Sequence, residues 1–137
     1  MKAYLDTSVI LRKLLGEPGA LENWGDWAEG HTSEITRVES LRALDRLRLQ
    51  GGLDDAEVAE AMRMLKAVLD ATATIGLNQA VLERASRSYP TVLGTLDAVH
   101  LASALLYMEQ KRETLLFLTH DDRLAIAAQA MGLETRG

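Results

Sequence analysis

Four acidic residues stand where an α/β enzyme could use them. Asp6 directly follows the apolar run KAYL, Glu39 lies in the first turns of a helical segment after HTS, Asp97 opens the helix LDAVHLASA, and Asp121 lies just beyond LLFLTH. In an open α/β sheet, ligands occupy the crevice beyond the carboxyl ends of the strands, so acids in these contexts converge on one end of the sheet. Carboxylates a few ångströms apart raise one another's pKa and do not all stay ionised without a counter-charge. A divalent cation is the usual counter-charge. The chain has no cysteine and no pair of histidines at ligand spacing, so the donors are oxygens, which favours Mg²⁺ or Mn²⁺ and disfavours zinc.

Each acid also has a local reading. Thr36-x-x-Glu39 and Thr119-x-x-Asp122 both match a helix capping box, which would turn Glu39 back on the Thr36 backbone, make Asp122 the cap partner and leave Asp121 free. Asp6 could cap the next helix, and Asp97 could be an acid favoured by the helix dipole. Shared placement after strands outweighs these readings. His100, one turn after Asp97 on an apolar helix, reads as a packed, hydrogen-bonded histidine and is not counted as catalytic.

The elements that must position these residues alternate between short apolar runs and longer helical patterns, the signature of βαβ units around a parallel sheet. Strands are expected at 2–5, at HTS, at ATATI, at 115–118 and at LET. Helices are expected over SVILRKLLG, over EITRVESLRALDRLRLQ, over 54–70 and 77–88, over LDAVHLASALLYMEQ with Thr95 as N-cap, and over the segment closed by Gly132. Leu21, Trp24 and Ala28 predict a further helix ending at Gly30, although Gly25 weakens it by roughly 1 kcal/mol relative to Ala. In the third helix Ile35, Val38, Leu41 and Leu44 form an apolar stripe opposite Arg42 and Arg46.

Composition narrows the function. The chain has 137 residues, suited to a single domain, with 15 Lys plus Arg against 20 Asp plus Glu and a formal net charge of −5, so it is no basic clamp that holds nucleic acid by charge alone. Two Trp, three Tyr and one Phe are too few for a base-stacking platform. No thiol nucleophile or disulfide framework is available, which suits a reducing compartment. Asp6 interrupts the apolar run a signal peptide would need, and no segment is long enough to cross a bilayer, so a cytoplasmic protein without membrane contact is expected.

The segments YLDTSVILRKLLGEPG, ITRVESLRAL, LDAVHLASA and LTHDDRLAIAAQAMGL, in that order, resemble the PIN-domain ribonucleases, and among them the VapC-type toxins of toxin–antitoxin pairs. The resemblance spans nearly the whole chain. It implies a single domain over 1–137, a three-layer α/β/α sandwich with a central, mainly parallel sheet, and Mg²⁺- or Mn²⁺-dependent cleavage of RNA. It also implies a homodimer and inhibition by a small antitoxin protein. The family's acidic site carries over to Asp6, Glu39, Asp97 and Asp121, and its polar helpers to Ser8 and Thr119. The corresponding chemistry is phosphodiester hydrolysis, in which the ion polarises a phosphoryl oxygen and activates a bound water. Asp6 and Asp97 would be the principal metal carboxylates, Asp121 a further ligand directly or through water, and Glu39 a water-mediated ligand that orients the nucleophile. Ser8 and Thr119 would fix carboxylate orientation. Arg12, Lys13, Arg42 and Arg46 are candidates for the RNA backbone, and Trp24 and Trp27, three residues apart, for a partner contact.

Three rivals meet this pattern differently. A phosphoacceptor receiver domain would carry Lys where this chain has Thr119-His120-Asp121, and an aspartyl phosphatase would need a second Asp at the position of Ser8. A non-catalytic interaction module on the same fold should have lost one of the four acids, and all four are present.

Overall fold

The computed structural model describes residues Met1–Gly137. Its architecture follows from two strands that are apolar on both sides, β1 (Lys2–Leu5) and β4 (Leu115–Leu118). Side chains alternate across a strand, so Tyr4, Leu115 and Phe117 enter one core while Ala3, Leu5, Leu116 and Leu118 enter the other. Strands buried on both faces belong in the middle of a helix-covered parallel sheet. The sheet has five strands in the order β3-β2-β1-β4-β5, with β2 (Glu29–Ser33), β3 (Ala73–Ile75) and β5 (Glu134–Arg136), and every pairing is parallel. β1 and β4 lie in register, Tyr4 opposite Phe117 and Leu5 opposite Leu118.

Helices complete the outer layers. α1 (Thr7–Leu14), α2 (Ile35–Leu49) and α3 (Asp55–Asp70) pack against one another, and Val9, Ile10, Leu14 and Leu65 close the core beneath α1 and α3. α5 (Thr95–Lys111) and α6 (Asp122–Ala130) lie with the other core, to which Leu101, Ala104, Leu105, Leu124 and Ala127 contribute, and α4 (Gln79–Ala85) packs on α5 through a smaller cluster of Val81, Val99 and Ala102. α5 is the inner helix of its layer, for every residue from Ala98 to Leu105 is buried. Small residues at Ala98, Ala102, Ser103 and Ala104 let it seat closely. Burying each Leu or Phe of these cores contributes about 1.5–3 kcal/mol. No helix is long and apolar enough to cross a membrane.

One expected element is absent. Residues 17–28 form turns where a helix ending at Gly30 was predicted, and Gly30 lies inside β2. Gly19 and Gly25 adopt φ of +78° and +86°, outside helical space, and Pro18 precedes them. Trp24 and Trp27 are therefore not helical neighbours. They meet edge to face at 5.5 Å and lean, half-buried, on the α1 and α3 core. Gly30 is where that packing leaves no room, because a Cβ there would come within 2.9 Å of the Trp27 indole nitrogen. The other helices match their expected positions, with α4 shorter than 77–88.

Candidate active site

The strand order reverses at β1, which has β2 on one side and β4 on the other, and that switch point opens a crevice at the carboxyl ends. Asp6 sits at its base. The Asp6 amide extends the ladder by donating to the Leu118 carbonyl at 3.0 Å, and extended backbone (φ −68°, ψ 149°) then turns the chain into α1. Its side chain makes no helix cap. Instead Asp6 Oδ2 accepts from Ser8 Oγ at 2.7 Å and from Thr119 Oγ1 at 2.8 Å. Thr119 Oγ1 accepts in turn from the Asp121 amide at 3.0 Å, and Ser8 Oγ from the His120 amide at 3.0 Å. Both hydroxyls singled out in the sequence thus clamp one carboxylate between the ends of β1 and β4.

Neither of the two anticipated capping boxes forms. Asp121, not Asp122, is the N-cap of α6, with Oδ1 accepting from the Leu124 amide at 2.8 Å, while Asp122 is exposed. Thr119 is unavailable as a cap because Asp6 holds its hydroxyl. At α2 the N-cap is Glu34, without a side-chain cap. Thr36 is drawn inward to Thr32 Oγ1 at 2.7 Å, and Thr32 donates to the Leu5 carbonyl at 2.7 Å. Glu39 is thereby released towards the crevice, where Oε1 lies 2.9 Å from Thr7 Oγ1 and 2.6 Å from His100 Nε2. At α5 the N-cap is Gly94 rather than Thr95, and Asp97 occupies the first turn.

Asp6, Glu39, Asp97 and Asp121 all line one cleft of about 420 Å³, together with Thr7 and Ser8. Arg42 and Arg46, expected opposite the apolar stripe of α2, line it too and make that face a wall of the cleft; Val38, assigned to the stripe, is 53% exposed there. Arg12 and Lys13 face elsewhere, Arg12 towards Glu17 at 3.8 Å and Lys13 over the Trp24 ring at 5.7 Å. The carboxylates share the cleft without three of them converging on one ligand point.

A common pattern links three of the four. Asp6 is hydrogen-bonded through Oδ2 alone, Glu39 through Oε1 alone and Asp121 through Oδ1 alone, which leaves one oxygen of each free of hydrogen bonds, with Asp6 Oδ1 3.6 Å from His100 Nε2. The electrostatics match that crowding. Burial, followed by the charges of Asp6 and Asp121, pushes the Asp97 carboxyl from 3.8 up to about 6. Burial alone would lower the His100 pKa, but the hydrogen bond to Glu39 and the charges of Asp6, Glu39 and Asp97 outweigh it and raise it. The sequence identified His100 as packed and hydrogen-bonded, which it is; its partner was not foreseen, and Thr7 and Tyr4 were passed over. Thr7 stands beside Asp6 in DTS. Tyr4 is the one aromatic residue in an otherwise aliphatic run, on the strand face that α5 covers.

Comparison with known proteins agrees with this arrangement. The PIN domain family model matches residues 3–130. The chain is 31% identical to Ribonuclease VapC47 of Mycobacterium tuberculosis over 139 residues, covering 96% of this chain and 93% of that one. Among solved structures it resembles FitAcB from Neisseria gonorrhoeae, with TM-score 0.64, 19% identity, and coverage of 100% of this chain and 97% of the other. It also resembles VapBC-5 of Mycobacterium tuberculosis, a member of the VapBC family of toxin-antitoxin systems, with TM-score 0.59, 19% identity, and coverage of 98% and 96%. A five-stranded parallel sheet between two helical layers, an acid-lined cleft at its switch point and a family match over nearly the whole length agree: the chain belongs to the PIN domain family.

Proposed function

We propose that this chain is a divalent-cation-dependent endoribonuclease and the toxin of a toxin–antitoxin pair. The observation that carries this reading is the meeting of four carboxylates at the switch point of the sheet, with Asp97 pushed up to about 6 by burial and by its acidic neighbours. Such an arrangement costs stability and is maintained where a cation is to be bound. The donor set fits Mg²⁺ or Mn²⁺, being all oxygen, with an oxygen free of hydrogen bonds on Asp6, Glu39 and Asp121. Asp6 and Asp97 would be the principal ligands, Asp121 a further ligand directly or through water, and Glu39 a ligand through water. When bound, the cation supplies polarisation of the phosphoryl group and a water nucleophile of lowered pKa.

The protein's own groups do the rest. Ser8 and Thr119 fix Asp6, the Leu124 amide fixes Asp121, and Glu39, held through Oε1 by Thr7 and His100, would orient the nucleophilic water. Arg42 and Arg46 on the cleft wall neutralise phosphates flanking the scissile one. That the relative named Ribonuclease VapC47 aligns over 93% of its length supports RNA as the substrate. The likeness to a VapBC assembly supports a small antitoxin protein as partner, and the same reading includes a homodimer in the cytoplasm.

Purified protein incubated with a transcript pool, with and without Mg²⁺, tests the proposal through the position and chemistry of the new ends. Cleavage that needs the metal and leaves 5′-phosphate and 3′-hydroxyl ends is expected, because water is the nucleophile. Ends carrying 2′,3′-cyclic phosphate that persist in EDTA would overturn it. Co-expression with an adjacent small open reading frame, followed by light scattering, tests the partner and the dimer.

A further inference from the structure

We infer that Tyr4 and His100 form a buried relay that positions Glu39, so that the aromatic core beneath α5 sets how one cleft carboxylate meets the cation; this rests on the cation reading above. His100 is wholly buried on α5, and its two ring nitrogens are committed in opposite directions. Nδ1 lies 2.7 Å from the Tyr4 hydroxyl, and Nε2 lies 2.6 Å from Glu39 Oε1 and 3.1 Å from Thr7 Oγ1. Tyr4 cannot drift. Its ring is wholly buried, lies parallel to Phe117 at 5.3 Å with an interplanar angle of 3°, and meets the imidazole edge at 5.9 Å. An ionised carboxylate oxygen only accepts, so Nε2 carries a proton and donates it to Glu39 Oε1, whether or not Nδ1 is protonated as well.

Two features separate this chain of bonds from ordinary core satisfaction. It runs from the sheet interior outwards and ends on a carboxylate of the cleft. It also ends on Oε1 only, with Thr7 on the same oxygen, so it fixes the rotation of the Glu39 carboxyl and presents Oε2 to the cleft. A glutamate has three rotatable bonds, and one left free in a cleft would spread its carboxyl over many positions. Tyr4 and His100 act here as positioning residues, touching neither cation nor substrate.

The test is Mn²⁺ affinity of the intact protein, followed by electron paramagnetic resonance or calorimetry. His100→Gln places an amide donor near the Nε2 position, whereas His100→Asn reaches only the Nδ1 position. Expected is a loss of about tenfold in Mn²⁺ affinity for Asn, with Gln restoring it to within about threefold of wild type. Tyr4→Phe should weaken Mn²⁺ by roughly fivefold, the equivalent of one net hydrogen bond, and should have no effect in a Glu39→Gln background. A merely structural role would lower the melting temperature for Asn and Gln alike without ordering their affinities. Equal Mn²⁺ affinity for Asn and Gln, or an undiminished Tyr4→Phe effect when Glu39 is Gln, overturns the relay. If neither histidine variant folds, the Tyr4 and Glu39 cycle decides alone. Wild-type protein that takes up no Mn²⁺ overturns the cation reading itself, whereas wild-type binding with indifferent variants overturns only the relay.

Discussion

The two ends of the same sheet treat charge in opposite ways. At the amino ends of β1 and β2, Lys2 Nζ lies 2.8 Å from Glu113, 3.5 Å from Glu29 and 3.3 Å from the Tyr107 hydroxyl, and His31 Nε2 lies 3.0 Å from Glu29. Every acid there faces a base. The hydrogen bond to Lys2 lowers the Glu113 carboxyl below its ordinary value, and burial lowers His31. At the carboxyl ends, four acids share one cleft and His100 is the buried basic group among them. Charge is paired at one end, while at the other the acids crowd one another and hold the Asp97 carboxyl up to about 6. Single groups at the two ends answer pH with opposite signs, although His120 beside the cleft is lowered by burial as His31 is. His31, lowered, contributes stability that is lost as pH falls below 6.5; Asp97 and His100, both raised, contribute stability that is lost as pH rises.

Breaking the comparison at the acidic end gives the largest effect. Asp6→Asn should reduce metal-dependent RNA cleavage on the order of a hundredfold or more, measured at saturating Mg²⁺ on a defined transcript. Next comes the neighbouring pair at α6. Asn caps a helix as well as Asp does, so Asp121→Asn keeps the Leu124 hydrogen bond and removes only the charge. Activity should fall by about tenfold or more there, and stay within about twofold of wild type for exposed Asp122→Asn. Equal losses at both would mean that the cleft reads net charge rather than position.

A third effect is thermodynamic and smaller. The folded chain holds on Asp97 a proton that the unfolded chain releases between pH 3.8 and about 6, so this group's contribution falls across that window and is flat above it. Asp97→Asn should therefore stabilise the metal-free protein at pH 7, on the order of 1 kcal/mol after allowing for solvent screening, with no gain below pH 3.8. The gain from added Mg²⁺ should shrink in the same variant. Melts in EDTA and in metal at the two pH values check both signs. The smallest effect belongs to the balanced end: Lys2→Met should leave cleavage within about twofold of wild type and lower the melting temperature slightly, a loss that about 0.5 M salt removes from wild type as well.

Where the chain's own neighbours decide, the sequence is readable. KAYL and LLFL carry their burial in their composition, and the acids stand beside strand ends because that is where the crevice of a parallel sheet opens. Local motifs mislead where a distant partner outbids the near one. Thr36-x-x-Glu39 has the letters of a capping box, but Thr32, Thr7 and His100 claim both side chains, and Thr119 is claimed by Asp6 across 113 positions. The turns at 17–28 were misread for a different reason: Leu21, Trp24 and Ala28 have helical spacing, yet two glycines with positive φ bend the chain between them. Tyr4 and His100 meet across 96 positions, and no periodicity announces that contact.

The central strand of the sheet is also the first in sequence order. Asp6 at its end takes its ladder partner, Leu118, and its hydroxyl donor Thr119, 113 positions away, from far along the chain. Contacts of such long sequence separation close late in folding. A chain without β4 has the first three acids, Asp6, Glu39 and Asp97, and neither the strand that orders them nor Asp121. The topology therefore makes the cleft one of the last features to form: no part-folded chain that lacks the β1–β4 pairing holds its acids assembled.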